Sequence, residues 1–266
     1  MNRDNKVDHL EKVKKIALDS GNNFHSKVVQ NLRKNDWETI VSPHYSDNFT
    51  DKPREVDIIA SKVESVIDFH KPICDVEARL LIECKYVTEE TLFWFDKRDQ
   101  EKSRNRVMDD VGISSHIDFA SVQDHHYLKN DFVAKIFDSS KSTRGEYQGF
   151  YSAVNQVLNA LIYYRYKSLH HKNFRHKTIP YPVIVINSFD KIFKTTIDDS
   201  PNGIESISEP FQLEVNYAFV DNQGKERLEY FLIDVVSLDK LNEFINENVL
   251  SDDIYKIKQY LLYQLG

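Results

Sequence analysis

Cysteine is nearly missing from this chain of 266 residues: only Cys74 and Cys84 occur, both inside apolar runs. Two buried-looking thiols exclude a disulfide framework and point to a reducing compartment. Glycine and proline are also scarce, with seven of each, which excludes collagen-like and low-complexity material. No apolar run approaches the roughly 20 residues that a membrane-spanning helix needs. The N-terminal stretch, MNRDNKVDHLEKVKKIALDS, is charged throughout and lacks the apolar centre of a signal peptide. The expected location is the cytoplasm, with no membrane partner. A basic excess is missing too, the formal net charge being -7. That weighs against nucleic acid as a partner without excluding a nuclease, whose cations can crowd one face while its carboxylates hold a metal. There is no phosphate-cradling glycine loop, no G-x-S-x-G elbow and no dinucleotide fingerprint. His125-His126 and His170-His171 with His176 are present, but no Cys or His set has structural-zinc spacing.

Apolar residues are plentiful at 41%, with 12% aromatic, enough for a substantial core. Val7, Leu10, Val13, Ile16 and Ala17 recur at helical spacing over 5–20, and Phe24, Val28, Val29 and Leu32 do so over 24–35. WETIVSPHYS, EVDIIASKV and ARLLIECKYV read as strands, with a polar turn at NFTDKPR and an additional hairpin expected over 61–78. Residues 88–146 are charge-rich and irregular, a long insertion with one helix expected over 126–138. Within it Phe93, Trp94 and Phe95 read as a small core. YQGFYSAVNQVLNALIYYRYK is a strongly periodic helix and YPVIVINS a buried strand. FQLEVNYAFVD and ERLEYFLIDVVSL form a hairpin around NQGK, and one or two helices close the chain. Strands grouped about a central helix predict one mixed α/β domain over 1–266. Its core spans about 22–87 and 147–190, with the hairpin and helices of 191–266 appended.

Charge sits where a buried strand should carry none. Asp57 interrupts PREVDIIASK, and Glu83 and Lys85 interrupt ARLLIECKYV. Glu83 and Lys85, two apart, share one face of a strand. Asp57 can meet them from the neighbouring strand. Two carboxylates and an amine so placed suit Mg²⁺ or Mn²⁺, hard cations that keep several waters. A lysine beside such an ion can orient or deprotonate the attacking water, or offset phosphate charge. Strand-end charges turned to solvent are the competing account.

VDIIAS followed by LLIECKYV resembles the core of the PD-(D/E)xK nuclease superfamily, which includes restriction endonucleases, Holliday-junction resolvases and Mrr-type enzymes. Helix, three strands, helix, strand is the family order, and the chain follows it over about 22–190. The resemblance implies a restriction-endonuclease-like mixed sheet flanked by helices, with the insertion placed between the third core strand and the second core helix. It implies that Asp57 and Glu83 bind the metal, that Cys84 lends its backbone carbonyl, and that Lys85 assists the water. The 88–146 insertion and the segment after about 190 lie outside it. Many relatives carry glutamate on the first helix, in a pattern like G-x-x-F-E. Here GNNFHSKVV puts His25 at that position, either as a surface histidine or as a ligand with different metal preferences.

Ser152, Gln156, Asn159 and Tyr163 form a polar stripe on the periodic helix, either its solvent face or part of the site. The family often places a glutamine here, which makes Gln156 the candidate, although Ala160 departs from the companion Q-x-x-x-Y pattern. Arg165, Lys167, Lys172, Arg175 and Lys177 follow without an intervening acid. They suit contact with a phosphate backbone, and a solvated helix end is the alternative. The expectation is thus a Mg²⁺- or Mn²⁺-dependent endonuclease acting on DNA in preference to RNA, as a homodimer or with a partner subunit. Family analogy adds a role in bacterial defence. A catalytically degenerate binding module and a toxin-type RNase are the alternatives.

Overall fold

The computed structural model describes residues 3–47, 52–112, 123–140, 150–170, 176–221 and 223–265. Two helices open the chain, α1 (Arg3–Asp19) and α2 (Gly21–Lys34). The α2 periodicity is used as expected, since Phe24, Val28, Val29 and Leu32 are its buried residues. The α1 periodicity is not: Leu10, Val13 and Ile16 are exposed. Next come β1 (Glu38–Val41) and the small hairpin of β2 (His44–Ser46) and β3 (Pro53–Glu55). The charged strands β4 (Ile58–Asp68) and β5 (Lys71–Lys85) form one long antiparallel hairpin. The separate hairpin expected over 61–78 is therefore the outer half of these same two strands.

The insertion is not an excursion from the fold. It supplies β6 (Thr91–Lys97), α3 (Gln100–Val111) and β7 (Phe132–Ser139). The helix expected over 126–138 is replaced by one 3-10 turn, His126–Leu128, followed by β7. Alternation in FVAKIFDS, with β-branched and aromatic residues, prevails there over the helical spacing. Then follow α4 (Phe150–His170), β8 (His176–Ile186), β9 (Ile192–Thr196), β10 (Glu205–Ser206), β11 (Phe211–Val220) and β12 (Glu226–Ser237). The C-terminal helices α5 (Leu241–Phe244) and α6 (Tyr255–Leu265) are joined by a π-helical run, Ile245–Ile254. Among the described residues no helix is long and apolar enough to cross a membrane.

The fold is α/β, with one mixed sheet of ten strands in the order β1-β4-β5-β8-β12-β11-β7-β6-β9-β10. The strands β5, β8 and β12 run parallel at its centre, and antiparallel hairpins flank them. Central strands buried on both faces read as continuous apolar runs, which is why YPVIVI and FLIDVV show no alternation. On one face Leu80 and Ile82 of β5 pack with α2, α3 and the C-terminal helices. On the other, Leu81, Ile184 and Ile233 pack under α4. Phe93, fully buried, joins this second face, where its ring meets Phe150 at 5.3 Å and Phe211 at 4.8 Å. Phe93 and Phe95 therefore belong to the main core and not to a separate one.

Candidate functional site

The β4–β5 register pairs Ile58 with Ile82 and Ile59 with Leu81. Continued by one residue, it sets Asp57 opposite Glu83. Like charges directly across a strand pair are destabilising, and this pair lies at the end of two long strands with largely apolar, buried inner ends. Glu83 is only 4% exposed, and its Oε1 is buried with no hydrogen-bond partner among the described residues. The Cys84 N–H donates to Asp57 Oδ2 at 2.8 Å, and the Asp57 backbone N–H donates to Glu83. These bonds orient both carboxylates without neutralising either.

The electrostatics follow from that arrangement. Glu83 is pushed up to about 9, by burial first and by the Asp57 and Glu55 charges after it. Burial also raises Asp57 above the ordinary carboxylate range, against the Cys84 N–H bond and His25, which favour its anion. Both shifts favour the protonated form, and each carboxylate opposes ionisation of the other.

Three further groups converge here. His25 Nε2, carried by α2, stands 3.3 Å from Asp57 Oδ2, so the histidine at the family's glutamate position touches the site. Gln156 of α4 accepts from Ser152 Oγ at 2.7 Å, and its Nε2 reaches the Glu55 carbonyl at 3.5 Å. The polar stripe of α4 is therefore not a plain solvent face. It lies beneath the β2–β3 hairpin, where Tyr45 donates to the Gln156 carbonyl at 3.2 Å, and Asn159 bonds Tyr217. Glu55 was not singled out in the sequence. Its signal was the i, i+2 spacing to Asp57 in PREVD, which returns both residues to one side of an extended chain.

Two donor sets overlap in this corner. One is all oxygen, the carboxylate pair of Asp57 and Glu83. The other gathers one ligand atom each from His25, Asp57 and Cys84 within 4.8 Å. The Cys84 thiol is held well above its usual value by burial and by the two carboxylates. It stays protonated, whereas soft-metal binding needs the thiolate. The hard set fits a divalent cation better, because the orphaned Glu83 oxygen and the unneutralised pair both lack positive charge.

Lys85 is partly buried at the end of β5 and, among the described residues, has no hydrogen-bond or ion-pair partner. It occupies the Glu83 side of the strand by alternation but touches neither carboxylate. The cationic segment does not gather round the pair either. Lys177 sits opposite Val76 in the β5–β8 register, about 23 Å up the strand from Glu83 at 3.3 Å per residue. Arg165 donates to Glu229 at 2.8 Å. Lys172 and Arg175, and the side chain of Lys167, lie outside the described residues.

His125 and His126 form a separate buried cluster with Asp253 and Asp234. His126 bonds Asp253 through Nδ1 at 2.5 Å and Asp234 through Nε2 at 3.1 Å. With a carboxylate at each ring nitrogen, His126 is an imidazolium, raised to about 10 by its two aspartates against the opposing effect of burial. Each ring nitrogen of His126 thus faces a carboxylate, which makes the cluster a buried ion-pair network. The cluster ties the 3-10 turn to the C-terminal helices.

No family model matches the chain, and neither a curated protein nor a solved structure matches it.

Proposed function

We propose that the protein is a metal-dependent nuclease with a restriction-endonuclease-like core, hydrolysing phosphodiester bonds in DNA in preference to RNA. One observation carries the reading: Asp57 and the buried Glu83 are juxtaposed at the end of a hairpin on which Lys85, two residues beyond Glu83, has no partner among the described residues. The sequence resemblance to PD-(D/E)xK nucleases and the α/β architecture support it. Asp57, Glu83 and the Cys84 carbonyl would hold Mg²⁺ or Mn²⁺. When bound, such an ion polarises the phosphate and lowers the pKa of a coordinated water. Cys84 N–H fixes the Asp57 carboxylate for that task. Lys85, with no acid paired to it among the described residues, is available to orient the water or to meet the phosphate oxygens. Gln156, whose Nε2 stands 3.5 Å from the Glu55 carbonyl, would contact the substrate. A second copy or a partner subunit would complete cleavage of a duplex.

The test is incubation of the purified protein with plasmid, single-stranded DNA and RNA in Mg²⁺ or Mn²⁺, beside Lys85→Ala. Cleavage by the parent and not by the variant is the expected result. Preference for RNA would favour a toxin-type RNase. One observation favours a second reading, a catalytically degenerate binding module: His25 occupies the carboxylate site at 3.3 Å from Asp57, in place of the usual glutamate. Absence of both cleavage and calorimetric metal binding would select it.

A further inference from the structure

A cavity of about 890 Å³ opens between α3 and the C-terminal half of α4. Its floor includes Arg79 and Leu81 of β5, together with Thr178 and Pro180 of β8. Arg79, Leu81 and Glu83 alternate along one face of β5, so this part of the cavity floor shares a face with the carboxylate pair, Arg79 lying about 13 Å from Glu83 at 3.3 Å per residue, whereas Lys177, opposite Val76, enters from the other face. The volume is that of a small-molecule site.

The charge of the cavity is opposite to that of the chain. Arg79, Lys102, Arg106, Arg165 and Lys177 line it, against the carboxylates Asp109, Asp110 and Glu229, in a protein of net charge -7. Most of these cations are held in place. Arg106 makes a two-pronged pair with Asp110 at 2.6 and 2.7 Å and lies over the Phe231 ring at 4.7 Å. Arg165 is braced on Glu229 at 2.8 Å, and Arg79 on Glu77 at 2.8 Å. Lys177 differs. It is partly buried, and among the described residues no carboxylate pairs with it. Gly112 closes over it: at φ +64 it caps α3, and a Cβ there would stand 3.0 Å from Lys177 Nζ. A half-buried ammonium without a counter-charge costs free energy that an anionic ligand would offset. Beside it, Tyr164, Tyr230 and Leu81 give flat and apolar wall, and Asp109 and Glu229 supply acceptors for hydroxyl or amino groups.

We propose that this cavity binds a nucleotide, with its phosphate on Lys177 and its base against the tyrosine wall. The assignment goes beyond cleavage at Asp57 and Glu83 and stands without it. The nucleotide is either a free molecule or a residue of a nucleic-acid strand, and the same chemistry serves both.

The experiment titrates the full chain by calorimetry with 5′-AMP, with a twelve-residue single-stranded oligodeoxyadenylate and with inorganic phosphate. It is run in EDTA, in parent and Asp57→Asn protein, so that a failure of the metal site leaves the result intact. Saturable binding of 5′-AMP or of the oligonucleotide is expected, tighter than inorganic phosphate. It should weaken tenfold or more in Lys177→Met and about threefold in Lys102→Gln, a substitution at the exposed rim. Binding of 5′-AMP identifies a free nucleotide as sufficient, and binding of the oligonucleotide alone identifies a strand. Photolabelling with 8-azidoadenosine 5′-monophosphate, or an azido-substituted oligonucleotide, needs no variant and should mark the peptides carrying Tyr164 or Tyr230. Absent binding, affinity equal to that of inorganic phosphate, indifference to both substitutions, or label confined to other peptides would overturn the assignment.

Discussion

Asp57 and Glu83 face one another across the end of the β4–β5 hairpin, and Glu83 Oε1 is buried without a hydrogen-bond partner among the described residues. Burial next to a like charge is costly, and nothing in the packing of Ile58, Ile82 or Leu81 requires it.

Activity should depend on each member of the strand constellation. Asp57→Asn, Glu83→Gln and Lys85→Ala are each expected to lower the cleavage rate by about 10²-fold or more, with unchanged circular dichroism. Labelled DNA in single-turnover assays measures this, and a variant retaining the parent rate would remove that residue from the mechanism.

The acid pair should make stability depend on pH and on metal. Glu83 is raised from 4.5 to about 9 in the folded protein. Between those values the native state holds a proton that the unfolded chain has lost, so stability falls as pH rises across that window. Glu83→Gln removes the conflict. It is expected to stabilise the metal-free protein by about 1–3 kcal/mol at pH 8.5 and by little at pH 5, read from urea unfolding.

Addition of Mn²⁺ should raise the midpoint of thermal unfolding and release a proton to the buffer. At a hundredfold excess over the dissociation constant the gain is about 2.7 kcal/mol, or several degrees for a chain of this size. Asp57→Asn should abolish the gain, and an equal gain in that variant would place the ion elsewhere.

The His126 cluster makes the same demand on pH over a higher window. Its imidazolium, raised from 6.5 to about 10, contributes stability fully present below pH 6.5 and lost as pH rises through 10. His125 runs the other way: burial lowers it to about 4, so its share is lost as pH falls from 6.5 towards 4. His126→Gln strands Asp253 and Asp234 without their cation. The expected cost is about 3–5 kcal/mol near pH 7, measured by chemical denaturation, and a loss under 1 kcal/mol would show the network to be dispensable.

Legibility differed from segment to segment for identifiable reasons. The helices α2 and α4 and the strand β8 were plain because their apolar spacing is long and uninterrupted. Asp57, Glu83 and Lys85 stood out because charge in an apolar strand is costly wherever the strand lies. The insertion was obscure because β6 and β7 are short and flanked by charge, and their place is fixed by partners distant in sequence, Ile192–Thr196 for β6 and Leu213 for β7. Local pattern cannot report such pairing.

By itself, then, the sequence determined that two acids and an amine occupy strand ends in an α/β chain, since alternation and hydrophobicity are properties of neighbours along the chain. Only the tertiary structure decided which acids meet, that His25 joins them, and that Arg165 and Lys177 line a different cavity. Those are matters of register and helix placement, set by the packing of the whole sheet.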